Sequence, residues 1–242
     1  MKTRSKIIIA LLFMPILGAF GQTTYPTISP TATYTDAGGN EQTESNISES
    51  APLTVTFSAN TENAGGWTAH YEWHFYKEGQ RDKPYLLRYE EQTTYTFSEA
   101  GAHLIELWAT FTQGTDSAIY TNEYWTSEGQ PISVSISESK LEMPNAFSPN
   151  GDGINDIYRA KEGYRSLIEF KATIFNRWGQ KLYSWTDPAD GWDGKFNGKN
   201  VADGVYFVLV QAKGADGRKF NIKRDVNLLR GFTEGQTSPS LP

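Results

Sequence analysis

Residues Pro144–Tyr158 read PNAFSPNGDGINDIY, a proline-bearing entry followed by an acidic loop punctuated by glycine, and the reading of this stretch decides how the chain divides. Asn150, Asp152 and Asp156 bring oxygen ligands at alternate-residue spacing, while Gly151 and Gly153 admit the positive φ that curls such donors around one centre. That pattern fits calcium. Asn-Gly and Asp-Gly are also the commonest turn dipeptides, so the same side chains serve as caps of a metal-free turn. A full EF-hand loop would need a bidentate glutamate, which Glu162 matches only in distance. Both readings stay open.

Three further motifs follow with short spacers: IFNRWG (Ile174–Gly179), WDGKFNG (Trp192–Gly198) and DGVYFVLV (Asp203–Val210). Together with AFSPNGDGIND (Ala146–Asp156) they form an ordered set, and from about Met143 to Arg230 the chain resembles the gliding-motility-associated C-terminal domain of Bacteroidota, the type B sorting domain of the type IX secretion system. The resemblance implies a small β-sandwich that serves as an export address. It also implies recognition by type IX components, including an outer-membrane barrel of the PorP/SprF kind, and a final place at the outer membrane or cell surface after transit through the periplasm. Arg177, Trp178, Trp192 and Asp193, with Arg224 on the last strand, are the candidate recognition surface. The final stretch, GFTEGQTSPSLP (Gly231–Pro242), lies beyond the point where the resembled domain stops. It reads either as a frayed tail or as a segment that threads into a partner by way of Gly231, Phe232, Leu241 and Pro242.

Upstream, Met1–Gly21 has the form of a cleaved secretory signal: Lys2, Arg4 and Lys6, then an apolar run Ile7–Leu17, then Ala19-Phe20-Gly21. The apolar run is shorter than the roughly 20 residues of a spanning helix and contains Pro15. Cysteine is absent from all 242 residues, so core burial and not disulfides must hold the exported domains. Without the signal, about 19 basic residues face 28 acidic ones, a net charge near −9. A nucleic-acid partner, which requires a basic face, is not expected.

Between signal and address, residues 22–50 are rich in Thr, Ser, Glu, Asn and Gly and read as a loose lead-in with one edge strand near Thr31–Thr35. From Leu53 the pattern turns to strict alternation, with Val55 and Phe57 against Thr54, Thr56 and Ser58. Tyr71, Trp73 and Phe75 share one strand face, and further strands are expected at Tyr85–Tyr89, Tyr95–Phe97, His103–Phe111 and Ile119–Trp125. The wording APLTVTFSAN, YEWHFY and TTYTFSEAGAHLIELWATF resembles PKD-like immunoglobulin sandwiches, with Trp73 as core tryptophan. It departs from them in the longer, charged KEGQRDKP (Lys77–Pro84) after the tryptophan strand. The expected architecture is all-β: two tandem immunoglobulin-like sandwiches, residues 51–139 and 150–230, joined by a proline-stiffened linker at 140–149.

No nucleophile elbow, zinc helix, Walker loop or dinucleotide fingerprint occurs, so the sequence nominates no enzyme. His70 and His74 fall on one strand face about 13 Å apart, too far for one ion, and are expected to face solvent. Asp187, Asp190 and Asp193 surround Pro188 and Gly191, which is ordinary turn chemistry, a second calcium site or a glycosidase pair. Trp67, Trp125, Trp178 and Trp185 are candidates for stacking on sugars or for packing. Three function classes are weighed: a non-enzymatic envelope protein tied to type IX secretion; an adhesin whose first sandwich binds a glycan or a host or matrix protein, with calcium as stiffener; and a polysaccharide-active enzyme, for which the sequence nominates no carboxylate pair.

Overall fold

The structure, a computed structural model, describes residues 24–231; the signal segment and Phe232, Leu241 and Pro242 lie outside the described residues. Two β modules follow one another.

The first contains β1 (Thr31–Thr35), β2 (Glu41–Thr43), β3 (Asn46–Glu49), β4 (Leu53–Ser58), β5 (Thr68–Lys77), β6 (Leu86–Arg88), β7 (Gln92–Phe97), β8 (Gly101–Gln113), β9 (Asp116–Tyr120), α1 (Asn122–Ser127) and β10 (Ile132–Ile136). One sheet has the order β2-β1-β4-β7; the other runs β3-β10-β8-β5-β6, with β9 pairing the far half of β8. Alternation along β4 does what the sequence requires: Leu53, Val55 and Phe57 are buried, while Thr54 and Thr56 bond across to Thr96 and Thr94 on the outer face. Trp73 and Phe75 close the core from the facing sheet, with ring centroids 5.8 Å and 5.4 Å from Phe57.

Two expectations change here. The segment 22–50 is not a loose lead-in: β1 lies inside its sheet between β2 and β4, and β3 pairs in parallel with β10 in the opposite sheet. Its few apolar residues, among them Tyr34 and Ile47, are spaced to reach the core from both sheets, and both are buried. The expected strand Ile119–Trp125 ends at Tyr120, and Asn122–Ser127 forms a helical turn. That turn swings Trp125 inward, where its indole N–H donates to the Leu107 carbonyl at 2.9 Å.

The second module contains β11 (Ala146–Phe147), β12 (Leu167–Phe175), β13 (Lys181–Trp185), β14 (Lys195–Phe196), β15 (Lys199–Asn200), β16 (Gly204–Gly214) and β17 (Lys219–Leu228). Five strands form one sheet in the order β11-β17-β16-β12-β13. The facing layer is thin: the β14–β15 ribbon, and an isolated antiparallel bridge between Tyr158 and Trp192. Aromatic bulk fills what strands do not, as Tyr158 and Trp192 have no exposed surface and Phe147 packs on both.

The expected linker 140–149 is in fact part of this module. Leu141, Met143 and Phe147 are buried in its core, and β11 pairs with β17. Pro144 and Pro149 therefore do not set the angle between modules. That task falls to the β16–β17 turn, which is seated against the base of the first module. Ala215 is buried among first-module core residues; its carbonyl accepts from Ala100 N at 3.1 Å and its N–H donates to the Ser166 carbonyl at 2.9 Å. Ser166 Oγ accepts from Ala51 N at 3.2 Å and lies 2.8 Å from Ser137 Oγ. Asp216 accepts from Ser139 N and Ser139 Oγ, at 3.2 and 2.7 Å.

A Cβ on Gly214 would meet Ser139 Oγ at 2.1 Å. Gly214→Ala should therefore cost about 1–3 kcal/mol by forced displacement and part the seam. The expected readout is a single denaturation transition splitting in two, with faster proteolysis near Ser137.

His103 is 2% exposed and sits beside Phe97, its Nδ1 2.8 Å from the Tyr85 hydroxyl. Burial first, and then the Lys77 charge, push its pKa below the ordinary 6.5. The unfolded chain thus binds the proton more readily than the native one, so this contribution to stability is intact above pH 6.5 and is lost as pH falls below it. Melting temperature should drop between pH 7 and 5, and in His103→Gln that segment of the profile should be flatter than in the native chain.

Candidate functional site

β12 and β13 are joined by Asn176-Arg177-Trp178-Gly179-Gln180, and one side chain holds the turn together. Asn176 Oδ1 accepts from Trp178 N and Gln180 N, each at 3.0 Å; its Nδ2 donates to Gln180 Oε1 at 3.0 Å. Asn176 N donates to the Gln180 carbonyl, and Gly179 N to that of Asn176. Gly179 has φ +76, a conformation that costs other residues steric strain. Arg177 and Trp178 therefore stand on a fixed frame, and the indole is 85% exposed. Burying an aromatic of this size is worth about 3 kcal/mol or more, which the isolated chain leaves unused.

Beside the turn lies a second uncovered apolar feature. β16 alternates strictly: Tyr206, Val208, Val210 and Ala212 face the core, whereas Val205 and Phe207 are 45% and 44% exposed on the other face. Phe207 pairs with Phe175 on one side and Asp225 on the other; Leu209 pairs with Lys223. These residues line a shallow depression of about 410 Å³. β16 lies at the centre of the sheet, bonded to β12 and β17. A central strand apolar on both faces normally has cover on both. Among the described residues nothing covers the outer one.

The remaining candidates divide. Trp192 is removed from the recognition surface, because it is fully buried, its Nε1 donating to the Lys195 carbonyl at 2.7 Å and its ring lying 5.1 Å from Tyr206. Asp193 is occupied by Lys195, through the backbone N–H and the ammonium, both at 3.0 Å. Arg224 fastens the entry segment by donating to the Met143 carbonyl at 2.8 Å. Gly231 is exposed at the end of the described residues. Trp125 and Trp185 are buried. Arg230, which sequence reading passed over, holds the ribbon loop: it donates to the carbonyls of Gly194 and Val201 and to Asp203 Oδ1. Its only sequence signal is its place after the final KRDVNLL.

The acidic loop closes on itself. Asp156 accepts from Gly151 N at 2.7 Å with one oxygen and from Gly153 N at 2.8 Å with the other, and these bonds lower its pKa. Asn150 Oδ1 accepts from Asp152 N and Asp152 Oδ1 from Ile154 N, at 3.0 and 2.8 Å. Gly151 and Gly153 do adopt positive φ, but the donors turn towards backbone N–H groups. The loop is thus held as a hydrogen-bonded turn, its side-chain oxygens spent on the backbone of the same loop. Asp187 likewise caps a turn, accepting from Ala189 N. Calcium at millimolar concentration should leave the melting temperature unchanged in differential scanning calorimetry, whereas Asp156→Ala should lower it with or without the ion.

His70 and His74 do share a face, and Glu72 sits between them, one carboxylate oxygen 2.9 Å from His70 Nε2 and the other 3.0 Å from His74 Nε2. His74 differs from expectation. It is 7% exposed because Trp108 lies flat against it at 4.1 Å.

With this geometry in place, comparison with known proteins is informative for the second module. Residues 141–223 match the family model described as the CHU_C type IX secretion signal domain. The C-terminal module is accordingly a type IX secretion signal domain, and the chain that carries it is a secreted protein sorted by that system. Such a domain implies interaction with the type IX machinery and export to the cell surface or outer membrane. The match begins where the buried entry residue Leu141 begins the module. Among curated proteins none matches the sequence. Solved structures similar in part include a tetra-tandem repeat in the extending region of a large adhesion protein, 12% identical over 86% of this chain and 68% of that one, TM-score 0.26. Another is the FN1–FN3 segment of chicken CNTN1, 9% identical over 74% and 62% of the two chains, TM-score 0.24. No helix among the described residues is long and apolar enough to cross a membrane.

Proposed function

We propose that this is a non-enzymatic envelope protein whose C-terminal module engages a PorP/SprF-type outer-membrane barrel, and whose first sandwich stays with that assembly as a cap or adaptor. The supporting observation is the conjunction of an 85% exposed Trp178 on a locked turn with the uncovered Phe207 strip on a central strand. Exposed apolar surface retained on a rigid frame is characteristic of docking sites. The seam at Ala215 and Asp216 supports the second half of the reading, since it couples the first sandwich to whatever the second module touches. Asp156 and Asp187, two of the loop carboxylates, are engaged in turns.

The test is made in the native host. Trp178→Ala and Phe207→Ser, alone and combined, are expected to reduce surface-exposed protein by about tenfold or more, with accumulation in the periplasm and an unchanged circular dichroism spectrum of the purified chain. Native protein should co-purify with the barrel. Wild-type surface levels in the double variant, or recovery of the native chain solely as free soluble protein, would overturn the reading.

A further inference from the structure

The outer face of the β5–β8 sheet is constructed as a cleft. Tyr71, Trp73 and Phe75 face the core, so His70, Glu72, His74 and Tyr76 project to the other side. There Glu72 pairs with Trp108 and His74 with Glu106. Trp108 stacks on His74 with an interplanar angle of 20°, and its Nε1 donates to Glu106 Oε2 at 3.1 Å. Glu106 has no exposed surface although it lies on an outer face. Its cover is Arg81, which donates from Nε and Nη2 at 2.6 and 3.1 Å.

Arg81 belongs to Lys77–Pro84, the charged insertion that departs from the resembled sandwich pattern. The insertion folds over the sheet through two tight turns, Gln80 N to the Lys77 carbonyl and Lys83 N to the Gln80 carbonyl. Between it and the sheet opens a cleft of about 450 Å³, lined by His74, Tyr76, Arg81, Asp82, Trp108 and Asn122. Burying a carboxylate such as Glu106 is costly without a partner; here its half-buried partner Arg81 fixes the wall of a cavity.

The lining defines the ligand. The floor is aromatic: Trp108 with its stacked imidazole, beside Tyr76. The Arg81 charge is balanced by Glu106, so the cleft offers no net cation for a phosphate or carboxylate. Asp82 and Asn122 stand at the rim, exposed and without a side-chain hydrogen bond among the described residues. An aromatic plate with a carboxylate and an amide at its edge complements a pyranose, which has an apolar C–H face and a girdle of hydroxyls. The cleft is open to solvent, as required for one residue of a chain to lie across it. We propose that the first module binds a neutral polysaccharide, with one sugar ring stacked on Trp108 and its hydroxyls held by Asp82 and Asn122.

The test uses the purified full-length secreted chain in solution, so its outcome is independent of export. Cellohexaose, laminarihexaose, xylohexaose, mannohexaose and chitohexaose are titrated by calorimetry and tryptophan fluorescence. Saturable binding to at least one is expected, weakened about tenfold or more in Trp108→Ala and about threefold in Asp82→Ala and Asn122→Ala. Trp178→Ala, in the other module, should leave affinity unaltered. The rim residues are exposed, so their variants decide the matter even where Trp108→Ala fails to fold. Absence of binding by all five sugars, or binding that survives both rim substitutions, overturns the proposal.

Discussion

The relation between the two modules rests on one short turn. Gly214, Ala215 and Asp216 end β16 and lie against the first sandwich, with Ala215 in its core and Asp216 bonded to Ser139 and, within its own turn, to Arg218 N. These bonds to Asp216 lower its pKa, the Ser139 hydroxyl contributing most. A flexible connection would have needed none of this. Small residues at Gly214 and Ala215 admit close approach, and the carboxylate satisfies backbone and hydroxyl donors that would otherwise be buried unpaired. The consequence is that a surface on one module has a defined position relative to a surface on the other.

Both modules place unusual chemistry on sheet faces that an ordinary sandwich leaves to water. In the first, a charged loop covers the face and the Glu106 carboxylate is drawn out of solvent beneath a part-exposed Arg81. In the second, the face stays open and carries exposed Val205 and Phe207, with charged Asp225 paired beside Phe207. Polar side chains at these positions would fold equally well, since the inward half of each strand already supplies the core. Selection for folding alone does not account for either face, and both proposals follow from that mismatch.

Much of this was legible in the sequence. Period-two alternation located β4, β5 and β8, and the four ordered motifs located the second module, because local pattern and side-chain direction are directly linked in strands. What could not be read was burial that depends on distant pairing. Residues 22–50 look polar because their strands give only one or two residues each to the core. Trp192 stood among the recognition candidates, yet it pins its glycine-dense loop to the sheet, because the thin second layer of that module needs its bulk. His74 looked exposed by alternation, and only the cross-strand neighbour Trp108 covers it. Asp156 carried the two readings of a carboxylate in a glycine loop, and what the sequence could not show is that both its oxygens turn to the Gly151 and Gly153 N–H groups.

The parallel pairing of β11 with β17 has a mechanical corollary. The polypeptide enters the second module beside the strand by which it leaves, and Asn227 N and Leu229 N donate across that junction to Asn145 and Phe147. A pull between the entry segment and the C-terminal end drives these neighbours in opposite directions along their length, loading their bonds together instead of opening them one after another. Arg224 and Tyr158, which tether Met143 and Pro144, share the same load. A protein anchored at one end and dragged at the other would thus resist tension at the place where the force is applied.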